Sequence, residues 1–328
     1  MRTTIRIAGA LAAMLVAAAT SQAQNAPAGA PAYPTRQARL IVPYPPGGPT
    51  DVIARLLSLK LTESLGQNFI VENLPGASGA IGATAASNSA PDGHTLLVVT
   101  NDFAVASVTS KLAYDPVKNF APVSIVSASP QVVIAHPSLP AKSLSELSEL
   151  TKKEPGKYSY GSMSIGFGQL TSERLFRLAL KLDVVRVPFQ GAAPLVTSTV
   201  GGHTQLGFIG LPPAATLIKE GKLRTLAVVG SKRSPDFPDV QNTTEAGIPG
   251  QDADLLIGVV APAGTPKPVV DLLQRQIARI VALPDVKQRL DALGFTPVAS
   301  TPETYAAQIK SDIEVWGKVV TELGMKVQ

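Results

Sequence analysis

The sequence predicts an α/β protein of two domains, and three observations carry that expectation. From Arg39 onward, apolar runs of strand length alternate with apolar residues at helical spacing, the signature of layered α/β folds. Four strand ends open into small-residue turns just before a helix, at 44–50, 73–79, 162–168 and 188–191. A cysteine-free exported chain must stand on its hydrophobic core alone, and at about 300 residues such cores usually divide in two.

The elements follow in order. Arg2 and Arg6 precede an apolar Ala/Leu/Val stretch to Ala19 and the segment Thr20-Ser21-Gln22-Ala23. A basic start, an apolar middle and a small-x-small end predict a Sec-type signal peptide over 1–23, cleaved after Ala23. The alternative, a membrane anchor, needs about 20 apolar residues, more than this run supplies. Residues 24–35, rich in Ala, Pro and Gly, read as a disordered leader.

Leu40, Ile41 and Val42 form a buried strand. Pro43, Pro45, Pro46, Gly47, Gly48 and Pro49 then break it, and Thr50 and Asp51 lead into Val52, Ile53, Leu56 and Leu57 at helical spacing. The helix ends near Leu65, with Gly66 as its cap. A helix start carries free N–H groups and a positive dipole end, so this turn favours an anion, and its glycines let a ligand approach. A bulky β-branched residue at Gly48 is expected to block that approach and to strain a backbone with φ > 0. The alternative reading is a stiff strand-to-helix connector. Asp51 either caps the first turn or accepts from a ligand amine.

A strand at 69–72, the turn 73–79, a helix at 80–87 and a strand at 95–100 ending in Asn101-Asp102-Phe103 come next. Strand-like runs at 123–127 and 131–135 flank Ser129-Pro130 and mark a first crossover. A helix at 144–153, a strand at 158–161, the loop 162–168, a helix at 169–180, a strand at 184–187 and a helix at 193–200 follow. A strand at 205–209, a helix at 213–219 and a return strand at 223–229 close this half. A last strand is expected at 257–261. Val270, Leu273, Ile277 and Ile280 share one helix face, as do Tyr305, Ile309, Ile313, Trp316 and Val320, the second helix starting at Thr301-Pro302. The expected division is a first domain from 34–128 and 231–328, with a second domain, 129–230, inserted. The helix at 270–281 is then expected against the 40–42 sheet.

The chemistry inventory argues for binding rather than catalysis. His94, His136 and His203 lack metal-ligand spacing. Ser164 in SMSIG misses the nucleophile elbow, and Gly76, Gly79 and Gly82 match neither the dinucleotide fingerprint nor a P-loop. The absence of cysteine excludes disulfides, thiolate metal sites and a cysteine nucleophile. The formal charge of +5, or +3 without Arg2 and Arg6, contains no Lys/Arg block, so nucleic acid is not implied. No enzyme activity, metal or cofactor is expected. Ligands of open α/β sheets sit at the carboxyl ends of strands, where these four turns lie.

PYPPGGPTD (Pro43 to Asp51), VENLPGASGAIG (Val71 to Gly82), APDGHTLL (Ala90 to Leu97), YDPVKNFAPVS (Tyr114 to Ser124), VPFQG (Val187 to Gly191), GKLRTLAV (Gly221 to Val228), KRSPDFPDV (Lys232 to Val240) and APAGTPKP (Ala261 to Pro268) are collinear. In these motifs the chain resembles the substrate-binding proteins of tripartite tricarboxylate transporters, the Bug family, over nearly its whole length. The resemblance implies a type II periplasmic-binding-protein fold: two α/β domains joined by two crossover strands, with a ligand cleft between them. It implies a monomeric periplasmic receptor for a small organic acid, working with membrane permease subunits. The alternative is a ligand-responsive partner of a sensor system with no transport role. The ligand contacts it implies are Tyr44, Gly47, Gly48, Pro49, Thr50, Asp51, Gly76, Ser78, Asn101, Asp102, Ser162, Ile165, Gly166, Phe167, Gly168, Gln169, Phe189, Gly191 and Ile209. Gln169, Gln190, and Ile209 with Gly210 stand where the family often carries His, Lys or Arg, and Asp. The second half of the cleft is therefore less charged than the family norm. The ligand carboxylate is expected at the helix start after Pro49, facing the 162–168 loop.

Overall fold

The computed structural model describes residues 33–163 and 166–326. The expected signal peptide, its cleavage site and most of the leader lie outside the described residues. Between Arg36 and the C-terminus the chain builds two β-sheets with helices packed on them.

The first sheet has the order β11-β4-β10-β3-β1-β2. Strands β1 (Ala38–Val42), β2 (Phe69–Asn73) and β3 (Thr95–Thr100) run parallel, while β10 (Leu255–Pro262) inserts antiparallel between β3 and β4 (Phe120–Ser129). The short β11 (Thr296–Pro297) extends the β4 edge. Helix α1 (Pro49–Leu65) follows β1 and stops at Gly66, whose left-handed backbone (φ 73°) lets its N–H reach the Thr62 carbonyl. Helix α2 (Ala80–Ser87) follows β2 and α3 (Asp102–Thr109) follows β3. The α3 segment, DFAVASVT, is one of two helices that sequence periodicity missed, the other being 284–292: it is short, and small and β-branched residues dilute its apolar stripe.

The second sheet, β7-β6-β8-β5-β9, is made wholly of residues between β4 and β10. Strands β6 (Ser159–Met163), β7 (Val185–Phe189) and β8 (Leu206–Gly210) are parallel. Strand β5 (Gln131–Ala135) pairs antiparallel with β8 and with β9 (Arg224–Val229). The two runs read as crossovers, β5 and β9, are thus neighbours at one edge. Helices α4 (Leu144–Lys153), α5 (Phe167–Glu173), α6 (Ala192–Val200) and α7 (Ala215–Lys219) cover this sheet. Helix α5 starts two residues earlier than expected and continues into a π-helical turn, Arg174–Ala179.

Helix α8 (Lys267–Ala282) packs on β4 and α1 of the first sheet, with Val270, Leu273, Ile277 and Ile280 buried, and α9 (Pro284–Ala292) follows it. The last helix, α10 (Pro302–Glu322), serves both halves. Its Thr301 cap accepts from the Thr304 N–H, and Tyr305 and Ile309 join Ile41, Leu97 and Phe120 in the first core. About two turns further on, Trp316, Val319 and Val320 join Phe167, Leu170, Phe176 and Phe208 in the second. Trp316 is 2% exposed; it meets the Phe167 ring edge-on at 5.2 Å, and the Arg174 guanidinium lies 5.2 Å over it.

Candidate functional site at the meeting of two lobes

The turn between β1 and α1 is fixed from inside the first lobe. Asp51, 3% exposed, accepts from the Gly47 N–H at 2.9 Å, from Arg55 Nε at 2.9 Å and Nη2 at 3.0 Å, and from Asn73 Nδ2 at 2.9 Å. Burial pushes its carboxyl upward, but the bonds from Arg55, Gly47 and Asn73 outweigh it and hold the group below the usual carboxylate range. Both oxygens are committed to the protein, so Asp51 acts as the tie of this turn and not as an acceptor for a ligand amine.

The glycine expectation needs correcting. The left-handed residue is Gly47 (φ 85°); Gly48 is extended (φ −74°, ψ 167°) and caps α1 through its backbone. A Cβ at Gly48 would meet only the Pro45 carbonyl oxygen, at 3.8 Å. A side chain there is therefore unstrained, and its effect is confined to the approach to Pro49 and the buried Thr50.

The second turn of the first lobe, between β2 and α2, runs through Gly76 (φ 132°), Ala77 (φ 46°), Ser78 (φ 54°) and Gly79 (φ 94°). Two consecutive non-glycine residues in the left-handed region are uncommon and mark a shape enforced by the surroundings. Gly79 packs on Pro43 and the Tyr44 ring, so the two turns support each other. Ser78 is exposed at the tip.

From β3, Asn101 and Asp102 take opposite directions. Asn101 is buried: its Oδ1 accepts from the Leu256 N–H at 2.7 Å, and its Nδ2 donates to Asp312 Oδ2 at 3.3 Å. It ties β3, β10 and α10 together and is structural. Half-buried Asp102 points to the second lobe, where its Oδ1 accepts from the Phe167 N–H at 2.7 Å. Its Oδ2 accepts from Thr100 Oγ1 at 3.2 Å, and Thr100 Oγ1 lies 2.8 Å from the Tyr44 hydroxyl. Burial raises the Asp102 carboxyl above its ordinary range against the pull of these bonds. Burial, then the Asp102 charge, raise the Tyr44 hydroxyl far above its own, which keeps it a protonated donor.

The second lobe contributes Gly166 (φ 83°), the cap of α5, where a Cβ would collide with Asp102 Oδ1. Phe167 offers only its N–H to this site, since its ring is 2% exposed in the core. A Cβ at Gly168 would stand 2.9 Å from Met163 Cγ, so this glycine serves close packing. Ser162 is fully buried and accepts from Arg186 Nε at 2.8 Å. Ile209 is 4% exposed, packed with Val132 and Leu195 on the α6 side of the sheet. Phe189, half-buried, packs against the same cluster, and Gly191 caps α6 in extended backbone. Ile165 lies outside the described residues.

Of the expected contacts, Ser78, Asp102, Gly166 and Gln169 are brought together around one cavity of about 50 Å³, which Val320, Met325 and Lys326 also line. Gly47, Gly48, Pro49 and Thr50 belong to the first lobe and are not among its lining residues. The bond from Phe167 to Asp102 and the bridging role of α10 were not visible in the sequence, because both pair residues far apart in the chain. Among the described residues no helix is long and apolar enough to cross a membrane, and none form a group of three or more His, Asp or Glu able to hold a metal ion.

Comparison with known proteins places this architecture. The tripartite tricarboxylate transporter family receptor, TctC, matches residues 53–325. Protein BugT of Bordetella pertussis is 35% identical over 306 residues, covering 92% of this chain and 94% of BugT. The solved structure of the periplasmic binding protein BugD is 32% identical with a TM-score of 0.78, over 90% of this chain and all of that one (100%). MatC of Rhodopseudomonas palustris, solved with bound malate, is 34% identical with a TM-score of 0.76, over 88% of this chain and 100% of MatC. An R. palustris protein solved with adipate is 31% identical with a TM-score of 0.80, over 89% and 99%. The fold is thus that of the periplasmic binding proteins, and the chain belongs to the tripartite tricarboxylate transporter receptor family.

Proposed function

We propose that this protein captures a small organic carboxylate between its two lobes in the periplasm and delivers it to the permease of a tripartite tricarboxylate-type transporter, without chemical turnover. The observation that carries the reading is the convergence of Ser78 and Asp102 from one lobe with Gly166 and Gln169 from the other. On the first lobe the start of α1 presents backbone donors and a positive dipole end, the arrangement that accepts an anion. Relatives of the same family solved with malate and with adipate support the ligand class.

In this reading residues 34–128 and 231–328 form one domain and 129–230 the other, and ligand capture changes their relation. The anion is held at Gly48 and Thr50, mainly by backbone groups, while the Gly47 N–H stays with Asp51. A thermal-shift panel of C2–C6 mono- and dicarboxylates tests this. At a hundredfold excess over its Kd, a true ligand stabilises the fold by about 2.7 kcal/mol. A concentration-dependent rise in Tm with at least one acid is expected; a flat response across the panel overturns the reading. Delivery is tested separately, by loss of uptake of that acid when the gene is deleted.

A further inference from the structure

The Asp102 carboxylate crosses the cleft to a backbone donor of the opposite lobe, and it is a group of the protein itself. We propose that Asp102 is an internal carboxylate that latches the lobes through the Phe167 N–H and bars a ligand carboxylate from that end of the cleft, which makes it a specificity-determining residue. The proposal rests on the carboxylate-binding reading above and deepens it.

Four observations support it. The Phe167 N–H to Asp102 Oδ1 bond is 2.7 Å, the length of a charge-assisted hydrogen bond. The acceptor is held from behind: Thr100 Oγ1 receives the Asp102 N–H at 3.3 Å and lies next to the Tyr44 hydroxyl, which leaves its own proton for Asp102 Oδ2. Gly166, left-handed and without a Cβ, leaves room for the carboxylate. Finally, the cavity it lines is about 50 Å³, room for a water molecule or two rather than a second carboxylate with its chain. Among the described lining residues the other charged side chain is Lys326; it is exposed, so water and salt screen its charge more than that of the half-buried Asp102. A ligand group entering there meets a negative charge. The site thus favours a monocarboxylate whose far end is neutral or donates a hydrogen bond, and disfavours an acid charged at both ends.

Backbone amide exchange and NMR titration on the purified protein test this, using adipate as the probe. Without ligand, the Phe167 amide should exchange about tenfold or more faster in Asp102→Ala than in the wild type, the size expected for one charge-assisted bond. Asp102→Asn, which keeps a neutral acceptor, should fall between them, and it replaces the alanine variant if that fails to fold. Adipate should perturb the Phe167 amide saturably in Asp102→Ala and leave it unmoved in the wild type. Unchanged exchange in the variants overturns the latch. An equal adipate response in both proteins, or a response in neither, overturns the exclusion. Failure of the carboxylate-binding reading appears elsewhere, as no thermal shift and no movement of the Gly48 and Thr50 amides with any acid. The ligand-free exchange result still judges the latch in that case.

Discussion

Asp312 on α10 is a buried carboxylate held by two neutral donors, Gln308 Nε2 at 2.9 Å and Asn101 Nδ2 at 3.3 Å, with no cation bonded to it among the described residues. Burial pushes its carboxyl from the ordinary 3.8 up to about 6, and the two donors only partly oppose this. The sign follows from linkage. A folded-state pKa above the unfolded value means that the native protein holds the proton more tightly. The contribution to stability is full below about pH 3.8 and is lost as pH rises through about 6. At 1.36 kcal/mol per pH unit, that interval of about two units amounts to about 3 kcal/mol as an upper bound. Asp312→Asn keeps the shape and removes the charge. The variant should match the wild type at pH 4 and exceed it by about 1–3 kcal/mol at pH 7.5, most of the gain appearing between pH 4 and 6.5. Urea unfolding of both proteins at half-unit pH steps measures this. The difference between the curves cancels the other titrating groups, including Asp102 and Asp254, which burial raises, and Asp51, whose bonds lower it. A pH-independent difference, or a variant less stable at pH 7.5, would show that the Asp312 charge is not a cost to the fold.

Three further substitutions probe the core and the β1–α1 turn. Trp316→Ala removes a side chain packed against Phe167 and Arg174, and should cost about 3–5 kcal/mol in urea unfolding. Gly47→Ala should cost about 1–2 kcal/mol, because its φ of 85° is left-handed, whereas Gly48→Ala, extended and with open space around its Cβ, should change stability by less than about 0.5 kcal/mol.

What the sequence disclosed was what local physics controls. Strands 95–100 and 131–135 and helices 80–87 and 144–153 have the expected bounds, since apolar period and flanking Gly, Ser and Pro act over a few residues. The cap of α10 at Thr301 and the stop of α1 at Gly66 were legible for the same reason. The burial of the face Tyr305–Trp316 was legible, but not that Tyr305 and Trp316 enter different cores, because helical period says which face is buried and not against what. The site shows the same divide. The turns at Gly47 and Gly76 announced themselves by composition. The inward fate of Ile209, the structural bonds of Asn101 and the reach of Asp102 to Phe167 depend on contacts between distant segments, which composition does not encode.

Isothermal titration of the acid that most raises Tm, against the wild type and Gly48→Val, decides whether the anion binds at the start of α1. Because a Cβ at Gly48 has nothing nearer than the Pro45 carbonyl oxygen, at 3.8 Å, the variant should fold normally by circular dichroism while its side chain obstructs the start of α1. Saturable one-to-one binding is expected in the wild type, weakened by about tenfold or more in Gly48→Val, equivalent to at least about 1.4 kcal/mol. Equal affinity in the two folded proteins would contradict an anion site at the start of α1.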